Sequence, residues 1–279
     1  PATRFLRYHN ITPAEHFDGF DDAIAKQLRD ARDELPALSR ASRCVWADSN
    51  YNAEEIRAIG HDSVIVAPLF FRQSEWDVAP DATTLAKFNM PMTNFLFVGR
   101  IAPNKGVEDL IQTFAYYHGA IDARSRLIIV GSEASCPRYF AMLRLLAAQL
   151  NLQHVCFEGF VTDAQLAAYY RIADIFVTAS HHEGYCLPLL EAMYRGIPVI
   201  ARATGGMPEA LDGAGVLFDD LAPEVLAELL HTVVTDNALR DKVLHSQEQR
   251  CQALRNVDMP AAFTALLKQS GIDTHAVIQ

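Results

Sequence analysis

The sequence predicts an α/β fold in which two lobes each carry a parallel sheet covered by helices. Two observations predict it. From about residue 94, short apolar runs alternate with helical stretches, and a shorter version of the same alternation fills the first 70 residues. Strands that alternate with helices indicate a parallel sheet with both faces covered. Half of the 279 residues are hydrophobic, which is enough for one large domain or two smaller ones.

The first lobe is predicted for residues 1–72, with strands at 4–8, 44–47 and 64–67 and helices at 21–35 and 50–59. Three short strands are few for a stable α/β layer, so we expect this lobe to be incomplete. The chain begins with Pro1 rather than methionine, which is consistent with a processed or truncated chain. Residues 73–92 have mixed polarity and include two prolines, which is typical of a linker.

The second lobe is predicted for residues 93–255. Apolar runs of strand length lie at 95–98, 127–130, 155–157, 175–177, 197–200 and 216–218. Helices are predicted at 104–119, 138–150, 222–234 and 237–254, because apolar residues recur there at helical spacing. A last helix at 260–268 belongs to a C-terminal segment, 256–279, that we consider able to cross back to the first lobe.

Composition narrows the classes of function. The formal charge is −10, from 34 acidic and 24 basic residues, which argues against a broad nucleic-acid interface. No apolar run reaches the roughly 18–20 residues of a membrane span, although peripheral contact with a membrane stays open. The five cysteines are widely spaced without a CxxC pair, so we expect reduced thiols in a cytoplasmic protein and no metal site.

The most informative motif holds two glutamates eight residues apart, Glu183 and Glu191, after the apolar run 175–177. A loop between a strand and a helix lies at the carboxyl edge of a parallel sheet, where open α/β folds bind ligands. Gly184 allows close backbone approach, and Pro188 suits a first helical turn, whose free N–H groups favour anions. Carboxylates accept hydrogen bonds from hydroxyls. Phosphate beside hydroxyl acceptors indicates a nucleotide sugar.

Six segments together resemble the retaining glycosyltransferases of GT-B fold, "group 1" family four. The segments are residues 8–13, 46–49, 97–106, 159–161, 170–174 and 205–209, in addition to the two-glutamate motif. The first, Tyr8-His9-Asn10-Ile11-Thr12-Pro13, is similar to a cleft-histidine segment of one subgroup. The resemblance implies Rossmann-like parallel-sheet lobes, the first of them incomplete.

The resemblance also implies roles for individual residues. Arg100 and Lys105 would grip the donor diphosphate, Glu183 would bind the transferred sugar, and Glu191 the ribose. His9 would lie beside the acceptor and the reacting carbon. The remaining implied donor contacts are Gly99, Val161, Gly184, Tyr185, Cys186 and Leu187. Many members have glycine where Cys186 stands.

The implied activity is that of a hexosyltransferase. It would move a hexose, with mannose as one option, from a nucleotide diphosphate sugar to a glycan or lipid-linked acceptor. It would need no metal or other cofactor, and it would act in the cytoplasm or at the inner face of the membrane. Two alternatives stay open: a donor-binding module without turnover, whose partner supplies the rest of the first lobe, and a sugar-nucleotide epimerase.

Less specific explanations also remain for the same residues. His9 could be a core histidine at the end of a strand, and Glu183 could be a helix cap. Arg100 and Lys105 could be solvated charges.

Overall fold

The computed structural model describes residues 4–67, 69 and 73–272, and two parallel sheets lie within that part of the chain. The first sheet has the order β1 (Phe5–Tyr8), β2 (Cys44–Ala47) and β3 (Val64–Val66), all parallel. Its two long connections contain α1 (Asp22–Arg40) and α2 (Asn50–Ala58). The short 3-10 helix Ala14–Phe17 precedes α1.

Helix α1 is longer than predicted. The expected end at residue 35 was wrong, because the helix runs through Pro36 to Arg40. A proline normally ends or kinks a helix, since it lacks the N–H and crowds the preceding turn. Here Leu35 and Ser39 are buried on either side of Pro36, so packing holds the helix together across the missing hydrogen bond.

The second sheet has six parallel strands in the order β6-β5-β4-β7-β8-β9. Their bounds are β4 Thr93–Val98, β5 Ser125–Val130, β6 Val155–Gly159, β7 Ile175–Thr178, β8 Val199–Arg202 and β9 Val216–Phe218. The strand order reverses between β4 and β7, which are neighbours. The crevice at such a reversal is where open α/β sheets bind ligands.

Helices cover both faces of the second sheet. They are α4 Val107–Tyr116, α5 Pro137–Gln149, α6 Asp163–Ile172, α7 Leu187–Tyr194, α8 Met207–Leu211, α9 Pro223–Thr235 and α10 Asn237–Arg255. Separate apolar clusters form on the two faces: Phe95, Phe97 and Ile129 face one, and Leu96 and Ile128 face the other. Because neighbouring side chains on a strand point to opposite faces, a strand that is apolar throughout serves both clusters.

The segment predicted as a linker connects the two sheets, but it also contains structure that was not predicted. A 3-10 helix, Gln73–Trp76, is followed by α3 (Ala82–Lys87), which Asp81 caps. The Asp81 N–H donates to the Ala164 carbonyl, and the Tyr194 hydroxyl donates to Asp77 over 2.7 Å. The segment is therefore fastened to the second lobe.

The last described helix, α11 (Met259–Gln269), lies against the first lobe. The Trp46 indole N–H donates to the Ser270 hydroxyl over 2.8 Å, and the Phe263 ring meets the Trp46 ring edge-on. The final part of the predicted segment, residues 273–279, lies outside the described residues, as does Pro1. No described helix combines the length and the apolarity that a bilayer crossing requires.

Candidate functional site

The loops that follow β4 and β7 lie side by side, because these strands are neighbours in the sheet. The His181 N–H donates to the Asn104 carbonyl over 2.9 Å, and the Asn104 side chain donates to the His182 carbonyl over 3.1 Å. A Cβ at Gly106 would lie 2.3 Å from the Ala179 carbonyl oxygen, so only glycine allows this approach. Gly106 also has a left-handed φ of 59°.

A cavity of about 410 Å³ opens between these loops and the first lobe. His9, Asp48 and Leu69 line it from the first lobe. From the second lobe it is lined by Val98, Gly99, Lys105, Glu183, Gly184, Tyr185, Cys186, Leu187 and Pro188. Eight of the predicted site residues are therefore brought together here: His9, Gly99, Lys105, Glu183, Gly184, Tyr185, Cys186 and Leu187.

A second cavity, of about 550 Å³, is larger but lies elsewhere, beside Trp76, Tyr194 and Arg195. It is formed where α6 and α7 end, at the amino edge of β7 and β8. Ligands of open parallel sheets bind at the carboxyl edge. Of these two cavities, the smaller lies at that edge and brings His9 and Asp48 of the first lobe together with Lys105 and Glu183 of the second. The smaller cavity is therefore the candidate site.

Lys105 and Glu183 form an ion pair inside the candidate site. Lys105 Nζ lies 2.6 Å from Glu183 Oε1, and their side chains are only 15% and 12% exposed. The Ser180 hydroxyl donates to the same oxygen over 3.1 Å. Lys105 ends the 3-10 helix Pro103–Lys105. An ammonium has three donors, so Lys105 can keep Glu183 and still bind a phosphate oxygen.

The amino end of α7 also faces the cavity. Cys186, Leu187 and Pro188 line it, and Pro188 stands in the first turn of the helix. The N–H groups of a first turn have no partners within the helix and attract anions. Burial, and then the Glu183 charge, raise the pKa of the Cys186 thiol, so the thiol stays neutral and does not repel an anion. Cys186 has a left-handed φ of 70°, which is a physical reason for glycine at this position.

The turn after β8 contains Gly205 and Gly206 and packs against the loop that joins β7 to α7. The Gly206 N–H donates to the Glu183 carbonyl over 3.0 Å. A Cβ at Gly205 would lie 2.0 Å from the Glu183 carbonyl oxygen, and a Cβ at Gly206 would lie 2.0 Å from that of Gly184. The turn therefore acts on the site through backbone packing.

Three predicted residues do not line the cavity. Arg100 is exposed directly after Gly99. Glu191 lies about one turn inside α7, where it accepts a hydrogen bond from the Tyr170 hydroxyl over 3.0 Å. Burial raises the pKa of its carboxyl. Val161 packs against the apolar cluster that contains Leu96 and Ile128. The implied roles of Arg100 toward the diphosphate and of Glu191 toward the ribose, and the implied donor contact of Val161, stay predictions.

The sequence analysis assigned no role to Asp48, which the structure places in the site. Asp48 Oδ2 lies 2.6 Å from His9 Nδ1. A signal was available: the predicted strands 4–8 and 44–47 end immediately before His9 and Asp48. If those strands pair in parallel and in register, the two residues become neighbours.

The lobes meet closely at the same place. The Ser49 hydroxyl donates to the Gly184 carbonyl over 3.0 Å, and the Asn50 N–H donates to Glu209 over 2.6 Å. A Cβ at Gly184 would lie 2.6 Å from the His9 carbonyl oxygen. The position of His9 over the cavity is therefore set by direct contact with the two-glutamate loop.

Comparison with known proteins adds the family. The family model described as glycosyl transferases group 1 matches residues 87–250, which include the second sheet and both site loops. The chain belongs to the group 1 glycosyltransferases. A D-inositol 3-phosphate glycosyltransferase of Kineococcus radiotolerans is 31% identical over 245 residues, which cover 81% of this chain and 55% of that protein. The serotype-specific mannosyltransferase WbdA of Escherichia coli is 27% identical over 165 residues, 58% of this chain and 20% of that protein. This group 1 chain thus spans about half or less of the curated relatives named here.

Solved structures confirm the predicted α/β fold of GT-B type. Sucrose-phosphate synthase from Thermosynechococcus elongatus superposes with a TM-score of 0.73 at 23% identity, covering 95% of this chain and 67% of that one. HepE from Anabaena, solved with UDP and glucose, gives a TM-score of 0.71 at 21% identity, covering 90% of this chain and 67% of that one. Because both identities are below 25%, these two superpositions show a shared fold and nothing further.

Proposed function

We propose that this chain carries the donor site of a retaining hexosyltransferase. The enzyme moves a hexose from a nucleotide diphosphate sugar to a glycan or lipid-linked acceptor. One observation carries the proposal: a single cavity holds the Lys105–Glu183 pair, the amino end of α7 and, from the other lobe, His9. Family membership and the UDP bound to HepE agree with a nucleotide sugar.

Charge on the leaving group explains the need for Lys105 and α7. Transfer breaks the bond between the anomeric carbon and a phosphate oxygen, so negative charge grows on the diphosphate. A fixed cation and free N–H groups stabilise that charge more in the transition state than in the ground state. The Lys105 side chain is only 15% exposed, and such burial strengthens the interaction. Removing one such donor costs about 3–4 kcal/mol in comparable sites.

Glu183 and His9 serve the sugars in this proposal. Glu183 accepts a hydrogen bond from a hydroxyl of the transferred hexose while it stays paired with Lys105. In a retaining reaction, the acceptor oxygen bonds to the anomeric carbon on the face that the phosphate leaves, and the departing phosphate oxygen takes the acceptor proton. His9 is then a hydrogen-bonding group beside the reacting carbon. No metal or other cofactor is required by this scheme.

The donor sugar is a hexose, with mannose favoured by the mannosyltransferase relative in Escherichia coli. Because nucleotide sugars and reduced thiols belong to the cytoplasm, we place the reaction there, at the inner membrane face if the acceptor is lipid-linked. A partner that completes the first lobe also belongs to this proposal.

A thermal-shift panel of UDP-, GDP- and ADP-sugars tests the donor site. A ligand at about 100 times its Kd adds roughly 2.7 kcal/mol to the free energy of unfolding, which is a clear shift. Lys105→Met should abolish the shift. Lys87→Met is the matched control, because Lys87 also forms a 2.6 Å ion pair, with Glu158, but outside the cavity. No shift with any donor, or equal shifts in both variants, would contradict the proposal.

Product analysis then separates transfer from the two alternatives. With the stabilising donor and an oligosaccharide acceptor, NMR should show a glycoside with the anomeric configuration of the donor. An inverted product would refute retention. Donor binding without product in the isolated chain would favour a binding module, and a new sugar nucleotide formed without acceptor would favour an epimerase.

A further inference from the structure

Asp48 connects the first lobe to the chemistry of the candidate site. β1 and β2 pair in parallel up to Tyr8 and Ala47, so the next residue of each strand, His9 and Asp48, leaves the sheet at the same carboxyl edge. Both residues line the cavity that contains Lys105. The two side chains are therefore neighbours because of the register of the strands.

Each oxygen of the Asp48 carboxylate has its own partner. Oδ2 lies 2.6 Å from His9 Nδ1, while Oδ1 accepts from Arg7 Nε over 3.0 Å and from Arg7 Nη2 over 2.8 Å. The Asp48 side chain is only 5% exposed. A buried carboxylate needs a compensating charge, and Arg7 supplies it. Arg7 also donates to the Ala67 carbonyl, which ties the arginine to the end of β3.

The carboxylate determines which nitrogen of His9 carries the proton. An ionised carboxylate can only accept hydrogen bonds, so in the neutral imidazole Nδ1 must be the donor. Nε2 is then an acceptor. The His9 side chain is 64% exposed, in contrast to the buried Asp48, so the ring is held at its inner nitrogen and open to the cavity at the other.

Contacts on both sides also fix the backbone at His9 and Asn10. Asn10 has a left-handed φ of 93°, which its side chain stabilises by donating to Asn52 over 2.8 Å and to Glu55 over 2.9 Å. On the other side the His9 carbonyl contacts Gly184. A costly backbone conformation beside a cavity-lining group is typical of a positioned functional residue.

We propose that Asp48, charge-balanced by Arg7, is a positioning residue that fixes His9 as the Nδ1–H tautomer and presents Nε2 to the cavity as a hydrogen-bond acceptor for a sugar hydroxyl. The tautomer follows from this chain alone. Its effect on turnover rests on the proposed transfer function. A purely structural role for Asp48, joining β1 to β2, would stabilise the lobe without determining the His9 tautomer.

Long-range ¹H–¹⁵N NMR of the histidine rings at mildly alkaline pH tests the tautomer directly. His9→Gln identifies the His9 signals by their loss. Wild-type His9 should show the Nδ1–H pattern. Asp48→Asn should introduce the Nε2–H form, because an amide can rotate and donate to Nδ1. An Nε2–H pattern in the wild type, or an unchanged pattern in Asp48→Asn, would overturn the inference.

Asp109→Asn is the matched control, because Asp109 also joins an arginine to a histidine, at 2.6 Å from Arg202 and 3.3 Å from His181, outside the cavity lining. It should leave the His9 pattern and the turnover unchanged. Asp48→Asn should lower kcat about 10- to 100-fold, as when a histidine loses its orienting carboxylate, with little change in the donor KM. Equal kcat losses in both variants would overturn the positioning role. If the wild type transfers no sugar, the proposed function fails, while the NMR result still decides the tautomer.

Discussion

A single methyl group added at Gly184 should disrupt the contact between the two lobes at His9. The φ of Gly184 is not left-handed, so Gly184→Ala introduces no backbone strain of that kind. The effect is steric: the added Cβ would lie 2.6 Å from the His9 carbonyl oxygen and 3.1 Å from Asn10 Cβ. The His9 carbonyl must retreat by about 0.8 Å to reach 3.4 Å, where ordinary contact begins.

This displacement gives the expected magnitudes. Overpacking of a tight contact costs about 1–3 kcal/mol of stability. Misplacing a catalytic group by about 1 Å costs on the order of 10²-fold in rate, so Gly184→Ala should lower turnover by nearly that factor. The three atoms nearest to the added Cβ all belong to the first lobe, so Lys105 and the amino end of α7 stay in place. Stabilisation by the donor should therefore persist.

Urea unfolding, donor thermal shift and steady-state turnover test these expectations together. Gly119→Ala is the control, since it adds the same methyl group where nothing lies within 4 Å and φ is not left-handed. Wild-type turnover in Gly184→Ala would show that the lobes do not meet at this contact during catalysis. Loss of donor stabilisation would show that the methyl group acts on the second lobe, and either result would refute the reasoning.

Three further outcomes follow from the site. A nucleotide sugar should bind more tightly than its nucleoside diphosphate, and Glu183→Gln should reduce this difference in binding free energy by about 1.5–3 kcal/mol, the value of a hydrogen bond to a charged group. Calorimetry with both ligands measures the difference. An unchanged difference in the variant would show that Glu183 does not bind the hexose. Cys186→Gly should change the free energy of unfolding by less than about 1 kcal/mol, since relief of the left-handed conformation offsets the freedom gained by the unfolded chain. Cys186→Val should cost about 1–3 kcal/mol, and urea unfolding that ranks the two variants in the opposite order would contradict the geometry. Burial lowers the pKa of His182 from 6.5 to about 4. Between these two pH values His182 is therefore protonated in the unfolded chain and neutral in the folded one. Stability should therefore be complete above pH 6.5 and fall as the pH drops toward 4. His182→Gln should reduce that pH dependence whereas His245→Gln, at an exposed position, should not; equal slopes in all three proteins would refute the assignment.

The sequence predicted the elements whose signal is local. The apolar run 216–218 has the bounds of β9. Glu183 lies in a loop between β7 and α7, and Glu191 lies about one turn inside α7, as expected. β8 starts at Val199 rather than 197, because Pro198 has no N–H to give to a ladder. These patterns depend on neighbours in the chain, so spacing alone reveals them.

The missed features depend on contacts between distant parts of the chain. Helix α1 continues past Pro36 because of packing that no local pattern records. The role of Asp48 depends on the register of two strands, and the need for glycine at 184 depends on how closely the lobes approach. The two-glutamate motif therefore pointed to Glu183 and the family resemblance to Lys105, but neither revealed the charge network that holds His9.

The contact of α11 and Ser270 with Trp46 gives the two lobes a second connection. The backbone passes from one lobe to the other twice, once between β3 and the 3-10 helix Gln73–Trp76 and again between α10 and α11. Two separate tethers restrict the lobes mainly to rotation about the line that joins the tethers, which resists both sliding and full separation. Such a rotation would widen the cleft between His9 and Gly184, and the reverse rotation would restore the same contact between these two residues.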